Sequence, residues 1–301
     1  MDARQLEYFV AIAEHGGFSR AAAALHIAQP SLSQAIANLE AELGVPLFHR
    51  TGRGVTLSRA GRRLLGPSRQ VLRDLAAVRD ASAALTGLRQ GTLDLAAMPS
   101  PGIEPFGALV RRFARRSPEV TISATAAFTP GETVELVRDG ACELGLLGAA
   151  GRVAAPGLDV LDIEEQPFVV VAAPGGPVRD GVPVAAAGLA GLRLIVAGRG
   201  STMRGVVDGM IAEGADLRIA AEVGHRTSIL PLVLAGVGAA VLPDAWTALA
   251  RRCGAVAAPV EHGARLRVAL VSRRGHLTPA ARAFLGTARR LAAERLPEVR
   301  G

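Results

Sequence analysis

Apolar residues recur at helical spacing in three separate stripes at the start of the chain. Leu6, Phe9, Val10 and Ala13 form the first, and Phe18, Ala22 and Leu25 the second, with Ser19 near its start. Leu32, Ile36, Leu39 and Leu43, at i, i+4, i+7 and i+11, form the third. The segment HIAQP separates the second stripe from the third, and Pro30 suits the first turn of a helix. Two helices joined by so short a turn cross steeply, which predicts a helix-turn-helix. Leu47 to Arg50 and Val55 to Leu57 then flank TGRG, the pattern of a two-stranded wing with Arg53 at its tip.

From Ser58 to Leu88 the helical pattern resumes. Leu64, Val71, Val78 and Leu85 recur every seven residues, with Leu75 interleaved. A stripe this narrow suits pairing with a helix of a second chain, although a helix packed on its own domain shows a similar pattern. Pro67 is a candidate kink. After Gly91 short strand-like runs (TLDLAAM, VTISATAAF, CELGLLG) alternate with helical ones (106–114, 134–138). A second set follows: FVVVAAP, LRLIVA, LRIAAEV, AAVLP and LRVALVS, interleaved with helices near 203–212, 228–234 and 245–251. The alternation predicts two α/β subdomains built on parallel sheets. Thr278 and Pro279 announce a last helix as its N-cap and first residue. The expected organisation is a winged helix-turn-helix over 1–58, a linker and dimerisation helix over 59–90, and a ligand-binding α/β domain over 91–301. Its two lobes would comprise 91–162 with 268–301, and 163–267.

Composition sharpens this outline. A chain of 301 residues has room for several domains. Although 50% of its residues are hydrophobic, no apolar run approaches the roughly 18 to 20 residues that cross a bilayer. Asp2, Arg4, Glu7, Glu14 and His15 interrupt the first 25 residues, which excludes a secretory signal there. Cys142 and Cys253 are too few and too far apart for a disulfide framework or metal-ligand spacing, which fits a reducing cytoplasm. All 34 basic residues are Arg, and the net charge is +7. Seven of them (Arg50, Arg53, Arg59, Arg62, Arg63, Arg69 and Arg73) lie in a segment free of acidic residues. Such a cluster fits a polyanionic partner.

The third helix shows the opposite texture, with no Arg between Arg20 and Arg50. Gln29, Pro30, Ser31, Ser33, Gln34 and Asn38 give its free face small or uncharged polar groups. In a helix-turn-helix that helix enters the major groove, where Gln pairs with adenine edges and Ser serves either base. Phosphate contacts, and with them affinity, would come from the arginines further on. Enzymatic patterns are missing: GRGST is no nucleophile elbow, AGVG no dinucleotide fingerprint, and the six His form no zinc pattern. Cys142 reads as a small buried residue. In open α/β domains ligands sit beyond strand ends, at helix N-termini. Ser100 in MPSPG, Thr129 in TPGE with Glu132 as a capping-box partner, Ser201 and Thr202 after AGRG, and Thr227 in GHRTS occupy such positions. Each is equally an ordinary cap. His225 and Arg226 are weaker candidates.

The N-terminal sixty residues, with AxxLHIAQPSLSxxIxxLExxLGVPLFxR and the wing TxxGxxL, resemble the winged helix-turn-helix of LysR-type transcriptional regulators. RGSTMR and TSILPLVLAGVGAAVLP resemble that family's effector domain more loosely. The resemblance implies two lobes of the type 2 periplasmic-binding-protein fold and a homodimer or homotetramer. It also implies promoter DNA, a small organic effector and RNA polymerase as partners, with no cofactor, metal, membrane or catalytic residue. It places Gln29, Pro30, Ser31, Ser33, Gln34, Asn38, Arg50 and Arg53 against DNA, and Ser100, Thr129, Ser201, Thr202 and Thr227 around the effector cleft. One departure is the lack of Arg or Lys among Gln34, Ala35, Ala37 and Asn38, where members of the family often carry one. Two other readings remain: a ligand-independent DNA-binding protein whose α/β domain only assembles the oligomer, and an α/β solute-binding protein or enzyme with a helical appendage.

Overall fold

The computed structural model describes residues 1–51, 54–85, 91–261, 263–275 and 277–296. Three helices open the chain: α1 (Ala3–His15), α2 (Phe18–Ala24) and α3 (Gln29–Leu43). Asp2 and Gln5 cap α1 reciprocally, side chain to backbone in both directions, and Gly16 ends the helix in the left-handed region at φ 65°. Pro30 lies in the first turn of α3, and Gly44 closes that helix at φ 69°. Phe9, Ile12, Ala21, Leu32, Ile36, Leu39 and Leu47 are the buried core of this domain. The rings of Phe9 and Phe18 both meet Phe48 edge-on. Phe48 opens the wing, β1 (Phe48–Thr51) paired antiparallel with β2 (Gly54–Leu57). The Glu40 carboxylate accepts from the Leu47 and Phe48 amides, which ties the turn after α3 to the helix itself.

Helix α4 (Arg59–Leu85) leads out of this domain. Ser58 caps it by accepting from the Gly61 N–H, and the Ser58 hydroxyl donates to the Pro46 carbonyl. Pro67 is accommodated within the helix. The heptad residues divide between two environments. Leu64, with Leu65 and Leu72, packs on the N-terminal core, whereas Val71, Leu75 and Val78 stay exposed.

In the first lobe β3 (Gly91–Ala97), α5 (Phe106–Ala114), β4 (Val120–Ala126), α6 (Pro130–Arg138) and β5 (Leu144–Ala149) alternate, and the three strands run parallel. The chain then crosses to the second lobe through one long strand, β6 (Leu158–Ala172). The second lobe holds β7 (Val184–Ala185), β8 (Arg193–Ala197), α7 (Thr202–Ala212), β9 (Arg218–Val223), α8 (Ile229–Leu234), β10 (Ala240–Pro243), α9 (Thr247–Arg252) and β11 (Val256–Glu261). The chain returns through β12 (Arg265–Arg273) and ends in α10 (Pro279–Arg295) on the first lobe, where Phe284 meets Phe113.

The sheets correct one expectation. They are mixed, not parallel, because β11 and β12 pair antiparallel with successive halves of β6 as the chain comes back along its own outward path. Strand β10 is antiparallel to the same strand on its other side. Residues 168–172 of β6 are buried, as a strand covered on both faces requires. Residues 158–167 mix buried and exposed positions, and that polar half is absent from the strands read in the sequence. Among the described residues, no helix is long and apolar enough to cross a membrane.

Candidate functional sites

The first candidate surface is the free face of α3. Gln29, Pro30, Ser31, Gln34 and Asn38 are exposed and Ser33 is half-buried, while Leu32, Ile36 and Leu39 on the other side are buried. The polar groups are already organised: Ser19 of α2 donates to Gln29 Oε1 at 3.0 Å, and Gln34 Nε2 donates to Asn38 Oδ1 at 2.9 Å. The Gln34 and Asn38 side chains therefore present a joined amide pair to whatever the helix meets. Arg50 lies in β1 with its backbone opposite Val55. Arg53, the expected wing tip, lies outside the described residues.

The arginine cluster does not act as one patch. Arg59, Arg62 and Arg63 are exposed at the start of α4, with Arg62 donating to the Leu57 carbonyl. Arg69 and Arg73 turn inward, which corrects the picture of a continuous cationic run. Arg69 pairs with Glu14 of α1 at 3.0 Å and donates to the Asp139 carbonyl at 3.2 Å. Arg73 donates to the Gly140 carbonyl at 2.6 Å. These two cations join α4 to the first lobe and are withdrawn from any polyanion.

The second candidate is a cavity of about 310 Å³ between the lobes. The first lobe contributes the end of β3 with Met98, Ile103 and Phe106 after it, and Thr125 on β4. The second contributes Arg226, Thr227 and Trp246. Of the five residues expected around the effector cleft Thr227 alone is in this lining, and the weaker candidate Arg226 is beside it. Ser100 sits beside it, 1% exposed, accepting from the Trp246 indole N–H at 3.3 Å and donating to Met203 Sδ at 3.8 Å. Its hydroxyl joins the two lobes. Thr202 does likewise, donating from α7 to the Gly148 carbonyl of β5 at 3.4 Å. Ser201 caps α7 by accepting from the Arg204 N–H.

Thr129 caps α6, and Glu132 reaches back as the TPGE pattern foretells, although its carboxylate takes the N–H of Phe128 at 2.7 Å, one residue ahead of the cap. His225 is exposed, whereas Arg226 is 6% exposed and donates from Nη2 to the Phe128 carbonyl of the first lobe at 3.3 Å. Burial alone pushes its guanidinium down from the ordinary value.

Sequence reasoning left out the apolar wall. Met98, Ile103, Phe106 and Trp246 carry no pattern that separates a cavity lining from a core, and long-range packing alone brings them together. Cys142 is buried as expected, and its thiol is pushed up chiefly by that burial. Among the described residues no group of His, Cys, Asp or Glu is arranged to hold a metal.

Two family models match the chain. One, described as a bacterial regulatory helix-turn-helix protein of the lysR family, covers residues 3–62, and the other, the LysR substrate binding domain, covers residues 86–293. The HTH-type transcriptional regulator TcbR of Pseudomonas sp. (strain P51) is 30% identical over 252 residues, 83% of this chain and 85% of that protein. The HTH-type transcriptional regulator TfdS of Cupriavidus pinatubonensis is 31% identical over 295 residues, 96% of this chain and 98% of that one. Among solved structures, full-length CbnR in complex with its target DNA aligns at TM-score 0.67 and 28% identity, covering 97% of this chain and 100% of that one.

Proposed function

The chain belongs to the LysR family of transcriptional regulators, and from that premise we propose that it binds promoter DNA as an oligomer and responds to a small organic effector held between its two α/β lobes. One observation carries this reading. A single chain joins an exposed polar helix face to a cavity between two lobes, through a helix that touches both domains. Gln29, Pro30, Ser31, Ser33, Gln34 and Asn38 read and position against the major groove, while Arg50 and Arg53 serve phosphates or the minor groove from the wing. CbnR, a relative of known structure, is bound to its target DNA. The exposed Val71, Leu75 and Val78 supply the pairing surface on α4.

The effector acts by preferring one arrangement of the lobes. Thr227 contacts it directly, and Ser100 and Thr202, which already bond across the cleft, respond to lobe movement. Thr129 and Ser201 hold the N-termini of α6 and α7 near its edges. Only a difference in affinity between two arrangements can shift their populations. Such a shift reaches DNA through α4, and RNA polymerase then meets a differently placed oligomer.

The test is a fluorescence-anisotropy titration against duplex from immediately upstream of the chain's own gene, beside a scrambled duplex, at several salt concentrations. Preference for the upstream duplex, with affinity falling as salt rises, supports the reading. Equal, weak binding to both duplexes counts against it. Sequence-specific binding by a chain that no small molecule stabilises would leave the α/β domain as an assembly module only.

A further inference from the structure

Arg226 stands apart from Arg204, the other arginine buried in the second lobe among the described residues. Arg204, equally buried, is held by Asp208 at 2.7 Å and Glu222 at 2.5 Å. Arg226 has no carboxylate within ion-pair distance among the described residues, and its protein hydrogen bond is a single one, to the Phe128 carbonyl. A guanidinium offers five N–H donors, so this contact leaves most of its capacity unused. A buried cation without a counter-charge is costly, and proteins carry one where an anion comes to it. This one lines a cavity.

The cavity wall limits what that anion is. Met98, Ile103, Phe106 and Trp246 present apolar surface, and the two hydroxyls among the lining residues are those of Thr125 and Thr227. Arg226 is the one cation of the lining, and its neighbour His225 is exposed and absent from it. A second negative charge would therefore face aliphatic and aromatic carbon. A sugar or other polyol would leave several hydroxyls without partners.

We propose that Arg226 is the anchor for a carboxylate in this cavity, and that the ligand class is a small monocarboxylic acid with an apolar aryl or branched-alkyl body. The carboxylate takes the free edge of the guanidinium, as the planar fork favours. The body packs on Phe106, Ile103 and Trp246. Arg226 belongs to the second lobe and already touches the Phe128 carbonyl of the first, so a carboxylate here draws on both lobes at once. The inference rests on the effector-cleft reading above and adds the charge, number of charges and body of the ligand.

Thermal unfolding of the full chain tests it, with phenylacetate, 4-methylpentanoate and the neutral phenylacetamide as probes at about 10 mM. At least one acid should raise Tm while the amide does not. Arg226→Gln should weaken the acid by about tenfold or more in Kd, and Arg226→Lys, which keeps the charge, should lose less. Without ligand, Arg226→Gln should unfold no lower than the wild type, since it removes an uncompensated charge. The proposal is overturned if neither acid shifts Tm, if the amide performs as well as the acids, if Arg226→Gln responds as the wild type does, or if that variant is less stable without ligand. Duplex binding by the same variants separates the two readings. If duplex binding survives and a neutral compound stabilises the chain, the proposal falls and the regulator stands. If neither duplex nor any small molecule binds, both fall.

Discussion

Arg73 of α4 donates from Nη1 to the carbonyl oxygen of Gly140, 67 residues further along the chain and in another domain, at 2.6 Å. Gln70, one turn earlier, bonds both Arg73 and Arg273 of β12, and Arg69 takes the neighbouring Asp139 carbonyl. Gly66 comes close enough to Asp139 that an added side-chain carbon would touch it. Three positions on one face of the linker helix, Gly66, Arg69 and Arg73, thus rest on the turn that follows α6, and Gln70 between them ties the helix to β12. The contact is polar and tightly enclosed: Arg73 Nε is buried without a partner, and its guanidinium is held at about 10 by burial and by the charge of Arg273.

Removing the Arg73 side chain should loosen this seam without unfolding either domain. Arg73→Ala leaves the Gly140 carbonyl without its donor, at a cost of about 1–2 kcal/mol. Arg73→Met fills the same space without a charge to desolvate and should stay within about 1 kcal/mol of the wild type. Hydrogen exchange of the Gly140 to Cys142 amides should accelerate in both. Unchanged protection in both variants would show that the seam is not held by Arg73.

Gly61 sets how close α4 lies to the wing. A side-chain carbon there would overlap the Leu47 carbonyl oxygen, which also accepts from the Ser58 N–H at 2.9 Å, and would press on Leu57. Gly61→Ala should therefore destabilise the N-terminal domain by about 1–3 kcal/mol. The displaced wing should weaken duplex binding at the same time. Wild-type stability in a denaturant titration would mean that the helix start shifts freely.

On α3 the exposed face holds no cation, so discrimination and affinity should separate by mutation. Gln34→Ala breaks its bond to Asn38 and should cost about 1–3 kcal/mol of preference between upstream and scrambled duplex. Arg53→Ala should weaken both duplexes alike and lower the salt slope by about 1. Anisotropy titrations of both variants over a range of salt decide the matter. Equal loss of discrimination from the two would end this division of labour.

How far these sites could be read from sequence follows from the range of the interactions that make them. The N-caps Thr129, Ser201 and Thr278, the Pro30 helix start and the wing turn are local, and each shows in a few adjacent residues. The seven-residue repeat of α4 is legible as a pattern. What it packs on is not, because Leu64 finds α1 and its domain while Val71 faces outward. The first half of β6 escaped because Asp159, Asp162, Glu164 and Glu165 make it look like a loop, and only pairing with β12 makes it a strand. Arg226 ranked low for a related reason: nothing in GHRTS signals that one of two adjacent basic residues will be buried and the other exposed.

Asp180 gives the fold a predictable response to acid. Its carboxylate accepts from the Ala257 N–H at 2.9 Å and from Arg251 Nε at 2.8 Å, and these bonds, the backbone one foremost, hold it below its ordinary 3.8. A depressed carboxyl stabilises the fold fully above its unfolded value and loses that contribution as pH falls through its folded value. Asp180→Asn should therefore lower Tm at neutral pH, with the deficit shrinking as pH drops below about 4. A deficit that stays constant into acid would show that Asp180 acts through shape and not charge.

The exposed stripe on α4 makes the last prediction. Val71, Leu75 and Val78 are spaced i, i+4 and i+7 and are 44%, 38% and 67% exposed, so the chain alone does not bury them. The opposite side of the same helix is occupied by the first lobe through Arg69 and Arg73, which leaves the stripe free to face another molecule. Burying such side chains against a second copy contributes about 1.5–3 kcal/mol each. Leu75→Glu with Val78→Glu would instead bring like charges together across a two-fold axis. The double variant should thus raise the dissociation constant of the smallest oligomer by about two orders of magnitude or more, read by sedimentation velocity over a dilution series. The monomer so produced should keep most of its thermal stability, because both side chains are exposed in the single chain, yet lose most of its duplex affinity, since one winged domain then binds a half-site alone. Dissociation without loss of duplex affinity would mean that half-site binding by one copy suffices. An unchanged dissociation constant would place the contact between copies elsewhere on the molecule.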